Sequence, residues 1–112
     1  MELENFKQLI NTGYGIARFL KEHGIEYIFG IPNGHTLGLY DGILSTDGIE
    51  YVLLNDERSA CFAADAYSRV TGMIGVCDAG AAGAMNFSVA LAEAIVSASS
   101  ILAINSNNLF QR

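Results

Sequence analysis

A carboxylate placed where an apolar strand hands over to a helix is well sited for proton exchange with a ligand, and the segment YVLLNDERSACFAADAYSRVTG, residues 51–72, has that form. Tyr51 to Leu54 read as a buried strand, Asn55, Asp56 and Glu57 follow, and an alanine-rich helix begins at Glu57. A helix start favours an acceptor and a negative charge, and Asp56 or Asn55 meets that need. Glu57 is then surplus to capping. On residue types alone it stays open between a second helix-start acid and a site carboxylate.

Three other groups invite the same question. His35, beside a glycine turn, is either a solvated helix-start residue or an acid or base. Asp78-Ala79-Gly80-Ala81-Ala82-Gly83 could cradle a phosphate at a helix N-terminus. Its spacing is not G-x-G-x-x-G and the Lys-Ser/Thr pair of a phosphate loop is missing, so a tight turn admitting a ligand to the backbone is the alternative. Asp65 and Arg69, four apart on one helix, read as a structural ion pair, and Tyr67 as core. Cys61 and Cys77 have no His or Cys at metal-ligand spacing and read as reduced core residues, with no metal held by this chain.

The elements that must position these residues alternate. Phe6, Leu9, Ile10, Tyr14, Ala17 and Leu20 recur at intervals of three and four, which predicts an amphipathic helix that stops near Gly24 and is weakened at its start by Gly13 and Gly15. A strand over Ile25 to Phe29 ends in the loop Gly30-Ile31-Pro32-Asn33-Gly34, and Thr36 caps a helix to about Leu44. A second strand over Ile49 to Leu54, a helix from Glu57 to Val70 closed by Gly72, and a third strand over Ile74 to Cys77 follow. After the turn Ala79 to Gly83 come a helix from Ala84 to about Val96 and a fourth strand over Ile101 to Ile104. Apolar strands alternating with helices predict an α/β domain: a doubly wound parallel sheet of about four strands, order 2-1-3-4, with helices on both faces. Ligands of such sheets sit beyond the carboxyl ends of the strands, which singles out residues 30–35, 55–57 and 78–86.

Composition narrows the function. The chain has 112 residues, 51% of them hydrophobic, enough for one core. Its net charge is −6 with only six Lys and Arg and no basic cluster, which argues against nucleic acid or an anionic membrane as partner. Residues 79–104 carry one charge, Glu93, yet Gly80, Gly83, Asn86 and the serines break them into turn, helix and strand rather than a membrane span. The start lacks a secretory leader, from which a cytoplasmic setting is expected.

Taken together, FLKEHGIEYIFGIPNG, NDERSACFAADAYSRVTG and AGAAGAMN resemble the opening helix and strand with its F-G-x-P-G-G loop, the H-E-x-x-A-x-x-A-A-D-G-Y-A-R-x-T-G segment and the T-S-G-P-G-A-T-N turn of the N-terminal pyrimidine-binding domain of thiamine-diphosphate-dependent enzymes, the acetolactate synthase, benzoylformate decarboxylase and pyruvate decarboxylase group. The resemblance implies that Glu57 hydrogen-bonds N1′ of the cofactor aminopyrimidine and exchanges a proton with it. It implies that Ile31, Pro32, Ala79, Ala82, Gly83 and Asn86 line the cofactor, with Gly34 and His35 on the substrate side. Ala79 and Ala82 stand where that family has Thr and Pro, Met85 where it has Thr, Asn33 where it has Gly and Asp56 where it has His.

The implied function is a pyrimidine-binding domain or subunit of a 2-oxo acid decarboxylase or carboligase, with residues 1–112 forming one truncated or stand-alone domain. The diphosphate and Mg²⁺ would be held by a separate domain or chain bearing a G-D-G motif, absent here, in a homodimer or hetero-oligomer. Asn105-Ser106-Asn107-Asn108 replaces the Gly-Gln usual after strand four. The rival expectation is a degenerate, non-catalytic domain of the same fold acting as a small-molecule binding or interaction module. A dinucleotide-binding half is disfavoured by the glycine spacing.

Overall fold

A computed structural model describes residues 11–107, so Phe6, Leu9, Ile10 and Asn108 lie outside the described residues. The chain runs through α1 (Thr12–Glu22), β1 (Tyr27–Gly30), a short 3-10 turn (Gly34–Thr36), α2 (Leu37–Leu44), β2 (Glu50–Leu53), α3 (Glu57–Thr71), β3 (Gly75–Ala79), a second 3-10 turn (Gly83–Phe87), α4 (Ser88–Val96) and β4 (Ile101–Asn105). The strands form one parallel sheet in the order β2-β1-β3-β4, the order expected from the crossover rules.

Strand alternation divides the core between the two faces. Ile28 of β1 and Val76 of β3 point to one side, where Ala17 and Leu20 of α1 and Leu39 and Ile43 of α2 cover them. Cys77 and Ala79 point to the other side, under Cys61 and Ala64 of α3 and Phe87 and Ala90 at the start of α4. The central strand β3 is buried along its whole length, whereas β2 and β4 are edges, with Leu53 and Leu102 exposed. The expectation of strands covered on both faces therefore holds for the centre of the sheet and not for its edges.

Several local expectations change. Thr36 makes no side-chain cap; Asn33 does that work one turn earlier, its side chain accepting from the His35 N–H. The helix expected from Ala84 begins as a 3-10 turn and becomes α-helical at Ser88, and Ala79 belongs to β3 rather than to the turn. Tyr67 is half-buried, packed on the rings of Tyr27 and Phe29 rather than enclosed in the core. As expected, Cys61 and Cys77 are buried and free, and Gly72 closes α3 with φ of 73°. Among the described residues no helix is long and apolar enough to cross a membrane. Asp65 pairs with Arg69 at 2.7 Å, and the guanidinium also bonds Glu93 of α4 at 2.9 Å, tying the two outer helices together.

Gly13, which weakens α1 on propensity, is a packing contact. A methyl group there would overlap the backbone carbonyl of Gly38, while Gly42, four residues on along α2, presses on the Gly13 carbonyl. The two helices thus cross backbone to backbone. Gly15, two residues away, faces open space. Gly13→Ala should lower the unfolding free energy by about 2 kcal/mol or more through overpacking, against helix propensity, whereas Gly15→Ala should raise it by up to about 1 kcal/mol. Thermal or urea denaturation of the two variants checks this, and stabilisation by Gly13→Ala would refute the close crossing.

Candidate functional site

The loops after β1, β2 and β3 meet at the carboxyl end of the sheet. Parallel pairing sets Gly30 beside both Leu53 and Asp78, so the three segments that follow these residues start side by side. Asp56, in extended conformation, caps α3 by accepting from the Ser59 N–H at 3.0 Å. That removes the capping role from Glu57, whose side chain turns instead to the β3 loop. There Asn86 donates its Nδ2–H to Glu57 Oε2 at 3.1 Å. Among the described residues no donor reaches Oε1. The carboxylate lies against Gly83, where a Cβ would overlap Oε1, so any side chain there would displace the Glu57 carboxylate from this position. The result is a half-buried carboxylate oriented by one amide and offering one free oxygen.

The remaining nominated residues divide. Gly80 lies against the Asn33 side chain, its Cβ position 3.2 Å from Asn33 Cγ, which brings the β3 loop against the β1 loop. Ile31 and Pro32 belong to that β1 loop, and Ala82 leads into the turn that carries Gly83. Ala79 contributes no free surface: its methyl is in the core and its carbonyl accepts from the Ser106 N–H at 3.3 Å. Pro32 borders an apolar cavity of about 320 Å³ with Tyr40, Ile43, Leu44, Tyr51 and Leu53. His35 lies on the other side of the loop, at a cavity of about 450 Å³ bordered also by Ile104 and Asn105. Gly34 and His35 are exposed, and the loop thus separates His35 from Pro32. A hollow at the opposite end of the strands, between Lys21 and Glu50, gathers none of these residues. Among the described residues no three His, Cys, Asp or Glu side chains converge as a metal site.

The residue that sequence reasoning misplaced is Asp78. It lies inside β3 rather than in the turn and is fully buried on the α1/α2 face. Tyr40 of α2 donates to its Oδ2 at 2.6 Å and Tyr51 of β2 to its Oδ1 at 2.5 Å. Gly30 makes the room, since a Cβ there would overlap Oδ1. Burial pushes the Asp78 carboxyl up, and the two phenols pull it back without cancelling the rise. Both phenols are themselves raised, by burial first and by the neighbouring carboxylate second, and stay protonated. The signal available in the sequence was an aspartate in an otherwise apolar strand, with two tyrosines in neighbouring elements to match it.

The fold and sequence have counterparts among known proteins. Residues 10–110 match the family model described as "Thiamine pyrophosphate enzyme, N-terminal TPP binding domain". A Pseudomonas aeruginosa protein named "Probable 2-ketoarginine decarboxylase AruI" is 38% identical over 103 residues, covering 91% of this chain and 18% of its own. "Acetolactate synthase" of Mycobacterium avium is 39% identical over 96 residues, 85% of this chain and 16% of the relative. Among solved structures, the thiamine diphosphate-dependent 4-hydroxybenzoylformate decarboxylase of Rhodococcus jostii RHA1 superposes with a TM-score of 0.79 at 26% identity, covering 88% of this chain and 19% of that one. The chain thus spans less than a fifth of the length of these proteins.

The Asp78 network has a pH signature. An unfolded aspartate titrates near about 3.9 and the folded one above it, so between the two values the folded chain keeps a proton that the unfolded chain has released. The stabilising contribution is complete below the unfolded value and is lost as pH rises through the folded one. Relative to Asp78→Asn, which does not titrate, the Tm advantage of the natural chain should shrink as pH rises across this window. An advantage that grows with pH would contradict the assignment.

Proposed function

Because the chain belongs to the family of N-terminal domains of thiamine pyrophosphate enzymes, we propose that it is the pyrimidine-binding domain or subunit of a thiamine-diphosphate-dependent 2-oxo acid decarboxylase or carboligase, with Glu57 as its proton-exchanging residue. The observation that carries this reading is the Glu57 carboxylate itself, relieved of capping by Asp56, oriented by Asn86 and seated against Gly83. A half-buried carboxylate with one oxygen free suits a protonated ring nitrogen, and the donor set fits an aminopyrimidine better than a phosphate, which would be repelled there. When bound, the cofactor supplies the electron sink for bond cleavage beside the 2-oxo carbonyl.

The roles of this chain follow. Glu57 holds and returns a proton at N1′; Asn86 keeps the carboxylate from rotating away; Ile31, Pro32 and Ala82 border the ring from the two flanking loops. Gly83 admits the carboxylate to the turn. Gly34 and His35, exposed beyond the β1 loop, fall on the substrate side. Ala79 acts only by ending β3 where the turn must begin.

Diphosphate and Mg²⁺ require a further domain or partner subunit with the G-D-G motif, in a homodimer or hetero-oligomer. Support for such docking comes from α4 and the turn before it. Met85, Val89, Ile95 and Val96 are 76, 61, 80 and 83% exposed, and so much exposed apolar surface beside the Glu93 ion pair calls for a covering surface. The two buried free thiols suit a reducing, cytoplasmic setting.

The test combines the chain with a diphosphate-binding partner, thiamine diphosphate, Mg²⁺ and pyruvate. Glu57→Gln keeps the Asn86 contact and the volume but removes the exchangeable proton, so turnover should fall by about 10²-fold or more with the circular dichroism spectrum unchanged. Gly83→Ala, which displaces the carboxylate, should weaken turnover in the same direction. Cofactor binding without turnover in the natural chain would favour the non-catalytic binding module instead, and full turnover by Glu57→Gln would refute the proton role.

A further inference from the structure

The buried Asp78 carboxylate takes no part in the chemistry assigned to Glu57, yet it is connected to the β1 loop by a continuous chain of hydrogen bonds. We propose that Asp78 is a positioning residue which, through Tyr40, fixes the shape of the loop from Ile31 to Thr36, and that protonation of Asp78 resets that loop. Its bearing on pyrimidine binding rests on the function proposed above; the coupling itself does not.

A phenol has one proton. That of Tyr40 is committed to Asp78 Oδ2 at 2.6 Å, which leaves the Tyr40 oxygen an acceptor toward the loop. Thr36 Oγ1 approaches it at 2.6 Å, Asn33 Nδ2 at 3.1 Å and the Asn33 backbone N–H at 3.2 Å. Asn33 Nδ2 also donates to Thr36 Oγ1 at 2.8 Å, and Asn33 Oδ1 accepts from the His35 N–H at 3.0 Å. Three donors of the loop, the Thr36 hydroxyl, the Asn33 side-chain amide and the Asn33 N–H, therefore point inward, in a direction set by the charge on Asp78. Asn33 stands where the resembling family has glycine, so this network belongs to the present sequence rather than to the general motif.

Protonation reverses the polarity. A proton on Oδ2 makes Asp78 the donor and Tyr40 the acceptor, and the Tyr40 proton must turn outward. Two acceptors lie in that direction, the Ile31 carbonyl at 3.4 Å and Thr36 Oγ1 at 2.6 Å. Donation to the Ile31 carbonyl leaves the loop donors one lone pair fewer on Tyr40, and donation to Thr36 reverses the Thr36 bond and turns its own proton elsewhere; either choice remakes the loop's hydrogen bonds. Among the described residues, the groups that face Asp78 are Tyr40 from α2, Tyr51 from β2, Gly30 from β1 and Ile104, its register partner on β4. Of these only the two tyrosines are titratable and both remain protonated; the adjacent Cys77 thiol, on the opposite face of β3, is also raised and neutral, and among the described residues no cation lies beside the carboxylate to hold it ionised at low pH. Were Asp78 only a tie between strands and α2, its proton would alter stability and leave the loop in place.

Amide NMR of the ligand-free full chain distinguishes the two. In the natural chain the amides of Asn33, His35 and Thr36 should share one pH step above the ordinary aspartate range. Asp78→Asn, whose amide donates to Tyr40 as the protonated acid would, should lack the step and show at neutral pH the loop shifts of the acid form. It should also speed exchange of the Asn33 amide by about tenfold, the worth of one lost hydrogen bond. Tyr40→Phe keeps Asp78 and Tyr51 and should likewise abolish the step in the loop, which serves if Asp78→Asn does not fold. A natural chain with no step, or a step that survives in either variant and so belongs to His35 or another group, overturns the proposal. Because no cofactor enters the measurement, a chain that binds no thiamine diphosphate but shows the step defeats the functional reading alone.

Discussion

The carboxylate of Asp78 has no contact with solvent, so its hydrogen bonds must all be found inside the fold, and meeting that demand organises one face of the sheet. The cost of a buried, unmatched carboxylate is several kcal/mol, comparable to a large share of the stability of a small domain. Here it is matched by phenols from two different elements, one on α2 and one on the edge strand β2, with β1 contributing a glycine to leave space. Remove the carboxylate and Tyr51 loses its acceptor while Tyr40 must turn to the loop, to the Ile31 carbonyl or Thr36. Keep it, and its bond to Tyr40 ties α2 to the central strand. The same docking brings Gly38 and Gly42 against Gly13, so that the backbone-level crossing of α1 and α2 and the polar cluster are satisfied by one placement.

The opposite face solves a different problem with small residues. Alanines, cysteines and Gly75 let α3 lie close on β3, and Cys61 and Cys77 meet there; the Cys77 thiol is pushed up by its contact with Cys61 and by burial, which makes it a packing group and a poor nucleophile. Close packing carries the start of α3 to the β3 loop, where Glu57 finds Gly83 and Asn86. The Glu57 carboxylate is thus aimed by a division of labour within one dipeptide. Asp56 satisfies the helix, and Glu57 is free for a ligand.

Much of this was legible in the sequence because it rests on local rules. Alternating apolar strands and helices dictated a parallel sheet, and crossover handedness left the order 2-1-3-4. The surplus of Glu57 over Asp56 could be read because helix starts need one acceptor and the sequence offers more. What escaped is non-local. Asp78 looked like part of a turn because an acid in a central strand contradicts propensity, and only the partners brought by α2 and β2 resolve the contradiction. Gly13 looked like a flaw because propensity scales know nothing of a neighbouring helix. Thr36 looked like a cap because its type suits one, whereas Asn33 lies earlier and its amide and carbonyl together bridge His35, Thr36 and Tyr40.

The central claim is that the three carboxyl-end loops form one aminopyrimidine site around Glu57. It is tested most directly by titrating the isotope-labelled chain with the free aminopyrimidine half of thiamine and following the backbone amides. The account predicts shifts concentrated in residues 31–36, 55–58 and 80–87, lost when Glu57 is replaced by alanine. Shifts centred instead on the apolar groove between α2 and β2, or unchanged by loss of Glu57, would contradict it.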